Sequence, residues 1–363
     1  MNGKEWLKVF ATLFLLGVLF VGWVNYVVDP YGLKSNENKF DSDLMLMNKP
    51  NLTSLKIHLI AEYYLIGTSR VMRINPNLIE KYLPQKKVYN INISGATFKE
   101  NSMLAKKVLS NGSNFIYGFD AFSLNKNRLN EKEIVDRYMS YKSELENKSI
   151  YGNYLNIDTL SMSFKNLVKK ILNKNYNSYS FSENNKIHDA VTILGIEEHL
   201  DLSNKGTKKS SSNFEIVNNN EIINLAKNAT KKDIFIIYPK HFYHYILFQK
   251  YQNIETKYFN AIKLLVQNTD AKVWCFYGKN EITVNDGNFD ENGWHFKPKI
   301  AELIFAKIFN DPTIEVPKDF GVLVTKENID EHLKNLREQV QNYDLNKSLS
   351  LVPNVPVGNA YSE

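Results

Sequence analysis

From Val9 to Val28 the chain runs about twenty residues without a charge, most of them Leu, Val and Phe. A helix of that length and composition matches the hydrocarbon thickness of a bilayer, so a transmembrane helix is expected over residues 9–28. Lys4 and Lys8 precede the run, and no positive charge follows it until Lys34. Because Lys and Arg collect on the cytoplasmic side, residues 1–8 are expected in the cytoplasm and everything after the helix outside it. Trp6, Trp23, Tyr26 and Tyr31 stand near the two ends, where amphipathic rings favour the headgroup layer. The run exceeds the apolar core of a signal peptide, and Asn25, Tyr26, Val27 and Val28 offer no small-x-small cleavage site. It therefore reads as an uncleaved signal anchor, not as a removed leader.

What remains is longer than a typical single domain, yet α/β domains of about 250 residues are ordinary. With 43% hydrophobic and 13% aromatic residues against 23% charged, the chain can bury a sizeable core. Cys275 is the one cysteine, which excludes an intrachain disulfide. The formal net charge of +6 is dispersed along the sequence, so no nucleic-acid partner is expected, only weak attraction to anionic envelope polymers or headgroups.

Residues 29–57 are polar and carry Pro30, Gly32 and Pro50, the composition of a juxtamembrane segment. Five short apolar runs follow: Tyr63 to Ile66, Val88 to Ile93, Phe115 to Tyr117, Ile234 to Tyr238 and Val273 to Tyr277. Their length and their β-branched and aromatic content predict buried strands. Helical spacing lies between them, in Leu160, Phe164, Leu167 and Ile171 and again from about Tyr243 to Gln267. Strands alternating with helices predict an α/β domain over residues 58–311, with a central, mostly parallel sheet covered by helices on both faces. Ligands of such sheets gather at the carboxyl ends of the strands. Residues 173–213 read as a polar excursion, a lid or a loop. Asp311-Pro312 ends the last core helix. In the region 312–345 an amphipathic helix is expected, with Ile329, Leu333, Leu336 and Val340 as its stripe and Thr325 as N-cap. Residues 346–363, with Pro353, Pro356 and Gly358, read as a disordered tail.

Ile66-Gly67-Thr68-Ser69-Arg70 puts a serine directly after the first strand, where a helix is expected to begin. A nucleophile suits that position, and so does a serine that merely caps a helix. Phe289-Asp290-Glu291-Asn292-Gly293-Trp294-His295-Phe296 lies between the last strand and the last core helix, on the same sheet edge as Ser69. There His295 can take the serine proton and Asp290 can fix its orientation, the division of labour of a serine triad. Arg70 either holds a substrate carboxylate or phosphate or pairs with a surface acid. His241 and His244 follow the fourth strand. No third ligand stands at a diagnostic spacing from them, so no metal or other cofactor is expected, and His241 is placed in the cleft. His188 and His199 read as solvated.

Ser69 in its G-x-S turn, Gly95 in Ser94-Gly95-Ala96 after the second strand, Gly118-Phe119-Asp120 after the third, and Asp290 to His295 before the last helix resemble the ordered blocks of SGNH hydrolases. More narrowly, they resemble the membrane-anchored SGNH-like proteins that accompany membrane-bound O-acyltransferases in bacterial surface-polymer acylation, as in alginate O-acetylation and teichoic-acid D-alanylation. The resemblance covers residues 20 to 310. It implies a flavodoxin-like three-layer α/β/α sandwich, a Ser-His-Asp site, a membrane-bound O-acyltransferase partner and an envelope glycan as acceptor. Two positions depart from the pattern. Asp120 stands where the family places an asparagine that donates to the oxyanion, and a carboxylate repels an oxyanion unless protonated. Asn292 stands three residues before His295, in the place of the family's acid. Either Asp290 or Glu291 swings in, or Asn292 orients His295 by a hydrogen bond, or the site is degenerate.

Two functions from different classes are therefore expected. One is an anchored serine O-acyltransferase or esterase, with Ser69 as nucleophile, His295 as base then acid, and the N–H groups of Ser69 and Gly95 as oxyanion donors. The other is a non-catalytic glycan-binding or assembly subunit of an envelope polymer-modification complex.

Overall fold

The computed structural model describes residues 2–30, 61–71, 74–93, 95–127, 151–171, 214–245, 254–289 and 293–342. Most of the juxtamembrane segment, the polar excursion and the C-terminal tail lie outside them. By their internal contacts the residues form two compact units, one of residues 1–59 and 139–180, the other of residues 60–138 and 181–363.

The first unit contains α1 (Gly3–Val28), α5 (Tyr151–Tyr154) and α6 (Ile157–Ile171). A capping box starts α1: Glu5 N–H donates to Asn2 Oδ1 at 2.9 Å and Asn2 N–H to Glu5 Oε2 at 3.1 Å. The helix is long and apolar enough to cross a membrane, and its large side chains from Trp6 to Trp23 are exposed. Near its end Asn25 is fully buried. Its Nδ2 donates to the carbonyls of Tyr154 and Asn156 at 2.7 and 3.0 Å, and its Oδ1 accepts from Ser163 Oγ at 2.8 Å. One amide side chain thus holds α6 to α1. Asn25→Ala leaves two carbonyls and a hydroxyl without that partner, a loss of about 1–3 kcal/mol for a buried polar group. Backbone amides of α6 in the full-length chain are expected to exchange hydrogen about tenfold faster or more, as followed by mass spectrometry; unchanged exchange would show that Asn25 does not hold the helix.

The second unit is built on a six-stranded sheet with strand order β2-β1-β3-β4-β5-β6. The strands are β1 (Tyr63–Ile66), β2 (Val88–Asn90), β3 (Asn114–Gly118), β4 (Ile234–Ile237), β5 (Lys272–Cys275) and β6 (Val322–Val324). Neighbours from β2 to β5 run parallel and β6 is antiparallel to β5. The five apolar runs are β1 to β5. β6 was not read from the sequence, because it is a three-residue edge strand with two of its residues exposed. The helices of this unit are α2 (Pro76–Glu80), α3 (Phe98–Ser110), α4 (Ala121–Leu124), α7 (Asn219–Asn228), α8 (Ile254–Asn268), α9 (Pro298–Phe309) and α10 (Ile329–Gln341).

Alternation along the strands separates two kinds of side chain. Leu65, Val88, Ile116 and Ile236 join Ile79 of α2 and Ile300, Ile304 and Phe305 of α9 in one buried cluster. Tyr64, Phe115, Tyr117 and Phe235 carry the opposite parity and are equally buried, with Phe115 and Tyr117 edge-on or tilted to Phe235 at 5.4 and 5.6 Å. The stripe of the C-terminal helix packs on this unit: Ile329, Leu333 and Leu336 are buried, and Arg337 lies over the Phe259 ring of α8. Thr325 opens the turn into α10, its carbonyl accepting from Ile329 N–H and its own N–H donating to Asn328 Oδ1.

The strand order reverses between β1 and β3, the position at whose carboxyl ends such sheets hold their ligands. Glycine is required at the end of each of these two strands. A Cβ on Gly67 would come within 2.5 Å of Val71 Cγ2, and one on Gly118 within 2.8 Å of Tyr238 Cε2.

Candidate active site

After β1 the chain turns through Thr68, Ser69 and Arg70, closed by Val71 N–H donating to the Thr68 carbonyl at 3.0 Å. The serine stands in this turn, a 3-10 helix begins at Val71, and α2 starts at Pro76. Asn90 holds the segment in place through Nδ2 bonds to the carbonyls of Val71 and Ile74 at 2.9 and 3.2 Å. Ser69 is left half-buried while Thr68 and Arg70 on either side are buried.

His295 comes from the segment between β5 and α9, at the same carboxyl edge of the sheet. Phe289 and Phe296, both buried, pair antiparallel, and Lys297 N–H donates to the Asn288 carbonyl at 2.8 Å. The loop between them is pinched at its base, with His295 next to the pinch. Across 226 positions of sequence, Ser69 Oγ and His295 Nε2 lie 2.7 Å apart, within reach for proton transfer. Asp290 and Asn292, the alternatives for orienting the imidazole, lie outside the described residues. Gly95 follows β2 with φ +62°, the left-handed region suited to glycine.

Arg70 and Asp120 form one buried unit. Arg70 Nη1 is 3.3 Å from Asp120 Oδ2, and both side chains are nearly inaccessible. Thr68 Oγ1 donates to the same carboxylate oxygen at 2.7 Å, and Ser123 N–H donates to Oδ1 at 3.1 Å, so Asp120 also caps α4. Burial pushes the Asp120 carboxyl up, but Arg70, Thr68, Ser123 and Lys240 together hold it below the ordinary carboxylate value. The acid that Arg70 pairs with is therefore a buried one, not the surface acid considered from sequence. Arg70 Nε also donates to the Trp294 carbonyl at 3.1 Å. The chain Asp120, Arg70, Trp294 ties the residue before His295 to the residue after Ser69.

His241 braces the same loop from outside. Its N–H donates to the Gly293 carbonyl at 3.0 Å, and its Nε2 lies 2.8 Å from Asp286 Oδ1. His244 is fully buried, its ring 4.2 Å from that of Trp294. Trp294 thus stands among His244, Arg70 and Lys240, the two cations lying 5.5 and 5.4 Å from its ring. Thr68, Asp286, Lys240 and Trp294 were not singled out from sequence. Thr68 and Trp294 adjoin residues that were, and adjacency was the signal. Among the described residues no cluster of His, Cys, Asp and Glu could hold a metal ion.

Behind the site Lys240 is buried with its ammonium 5.1 Å from the Tyr277 ring. Burial, with Arg70 adding to it, moves the amine well below its ordinary value despite Asp120 and Glu255. Burial also pushes the Glu255 carboxyl up to about 8, against the downward pull of Lys240 and of the Tyr277 hydroxyl, which donates to Glu255 Oε1 at 3.2 Å. Folded Glu255 keeps its proton over a range in which the unfolded chain has released it. Its contribution to stability is present below pH ~4.5 and is lost as pH rises through about 8. The slope is at most about 1.4 kcal/mol per pH unit. Glu255→Gln is expected to unfold at a temperature that varies less between pH 5 and 8 than wild type does, as read by thermal unfolding of the full-length chain in detergent. An undiminished slope would assign the pH dependence to another group.

No description of a known protein family matches the sequence, and no curated protein matches it.

Proposed function

We propose that this chain is a membrane-anchored serine O-acyltransferase or esterase acting on a cell-envelope polysaccharide, in concert with a membrane-bound O-acyltransferase. The observation that carries the reading is the 2.7 Å approach of Ser69 Oγ to His295 Nε2 at the carboxyl ends of the strands where the strand order reverses. Ser69 Oγ attacks the acyl carbonyl as Nε2 takes its proton, and the imidazolium returns that proton to the leaving alkoxide. The acyl group then passes from the serine to a glycan hydroxyl or to water. The N–H groups of Ser69 and Gly95 serve as oxyanion donors in this reading. Its anchor is α1, with residues 1–8 in the cytoplasm of a bacterial cell and the α/β unit outside. The mostly parallel six-stranded sheet and its strand order support the three-layer sandwich of the SGNH hydrolases as its architecture.

A second reading, a glycan-binding or assembly subunit without catalysis, is favoured by one observation. At the position of the family's oxyanion-donating asparagine, Asp120 is committed to Arg70, Thr68 and Ser123. Turnover of a small chromogenic acetyl ester by the full-length chain in detergent decides between them. Activity above background that Ser69→Ala abolishes supports the enzyme; equal rates in both overturn it.

A further inference from the structure

The amphipathic helix α6 is turned inside out with respect to α1. Thr159, Ser163 and Asn166 are 2%, 0% and 2% exposed, so its polar, small face is the covered one. Its large apolar residues are open: Ile157 75%, Phe164 45%, Val168 50% and Ile171 79%. At 100° per residue these four fall within one arc of the helix, joined by the partly covered Leu160 and Leu167. A third arc carries Asp158, Lys165 and Ser161, all exposed. A helix of a water-soluble fold buries its apolar arc. Polar contact between helices with apolar residues facing outward is the arrangement of helices in lipid. Segregated apolar and charged arcs belong to a helix lying in the plane of a membrane surface.

The geometry points to α6 as a second membrane element: a helix in the interfacial layer of the bilayer at the end of α1, its apolar arc among the acyl chains and its Lys165 arc toward water. The occupant of the stripe is lipid because the surface is continuous with that of α1. Asn25 bonds to Tyr154, Asn156 and Ser163, and the Tyr26 ring meets the Tyr154 ring at 5.6 Å. A Cβ on Gly22 would touch Leu155. The exposed apolar residues Leu19, Phe20, Trp23 and Val27 of α1 lie in the same stretch of the helix. This inference rests on α1 crossing the membrane. It makes the attachment two-part, a spanning helix with a helical foot bonded to its end.

Single cysteines at Phe164, Ile171, Lys165 and, as reference, Leu16 test it. Each full-length variant carries a nitroxide label in vesicles of phosphatidylcholine and phosphatidylglycerol. Cys275 is buried, and wild type treated alike is the blank. The readout is collision with oxygen, which concentrates in lipid, against a water-soluble nickel chelate. The oxygen-to-nickel ratio at Phe164→Cys and Ile171→Cys is expected to approach that at Leu16→Cys and to exceed that at Lys165→Cys several-fold. Ratios at 164 and 171 equal to that at 165, with Leu16→Cys still in lipid, overturn the foot and leave the anchor intact. A water-like ratio at Leu16→Cys as well overturns both. Labels at 164 and 171 that neither probe reaches would show a protein on the stripe and overturn lipid as its occupant.

Discussion

Ester turnover by Ser69→Ala is expected to fall by at least about 10³-fold, His295→Ala to lose a similar factor, and the double variant to lose no more than either single one. The reason is the geometry of one hydrogen bond. With Nε2 2.7 Å from Oγ, the imidazole of the proposed mechanism takes the serine proton and returns it to the leaving group, and the serine is a weak nucleophile unless something takes that proton. Removing either member idles the other, so the losses are not additive. Residual rate would come from binding and oxyanion contacts. Neither substitution is expected to change stability by more than about 1 kcal/mol, because both side chains are half-exposed and share one hydrogen bond. Losses that multiply in the double variant would show that the two side chains act separately.

The second large effect is on the fold. Asp120→Ala is expected to cost about 3–5 kcal/mol in unfolding free energy, because it leaves the buried Arg70 guanidinium without its counter-charge. Asp120→Asn keeps one acceptor oxygen, for either the Thr68 hydroxyl or the Ser123 N–H, puts an NH2 donor in place of the other and loses the charge; it should fall between wild type and alanine. Converting both positions to apolar residues, Arg70→Met with Asp120→Ala, should recover much of the loss. The pH dependence follows from the direction of the shift. A carboxyl held below its ordinary value stabilises the fold above the unfolded pKa of about 3.9, and that stabilisation is lost as pH falls through the folded value. Wild type should therefore be the variant most sensitive to acid, with Asp120→Asn flatter below pH ~4. Denaturant unfolding of each variant checks both statements. An Asp120→Ala protein as stable as wild type would mean that water reaches Arg70.

Strands β1 to β5 were legible because each is a short run of β-branched and aromatic residues, and buried parallel strands are that and little else. Ser69 and His295 were legible for a related reason: both follow strands on the same edge, and the edge brings them together. The turn after Ser69 was not, since Asn90, from the next strand, supplies bonds that hold it. Nor was the Asp120–Arg70 pair, which needs β1 and β3 to be neighbours. The spacing of Leu160, Phe164, Leu167 and Ile171 gives the helix α6 and not what its apolar arc faces. Periodicity says which side chains share a face and leaves open whether that face meets protein or lipid.

The division of the chain bears on how the α/β unit is to be prepared alone. Its partner unit takes residues from two separated stretches, 1–59 and 139–180. Cutting away the N-terminal stretch alone would leave α6 attached but stripped of Asn25, with Ser163 and the adjoining polar face newly bared beside an apolar stripe. Such a truncation should aggregate. A soluble version calls for a second excision in the middle of the gene, removing residues 139–180 as well.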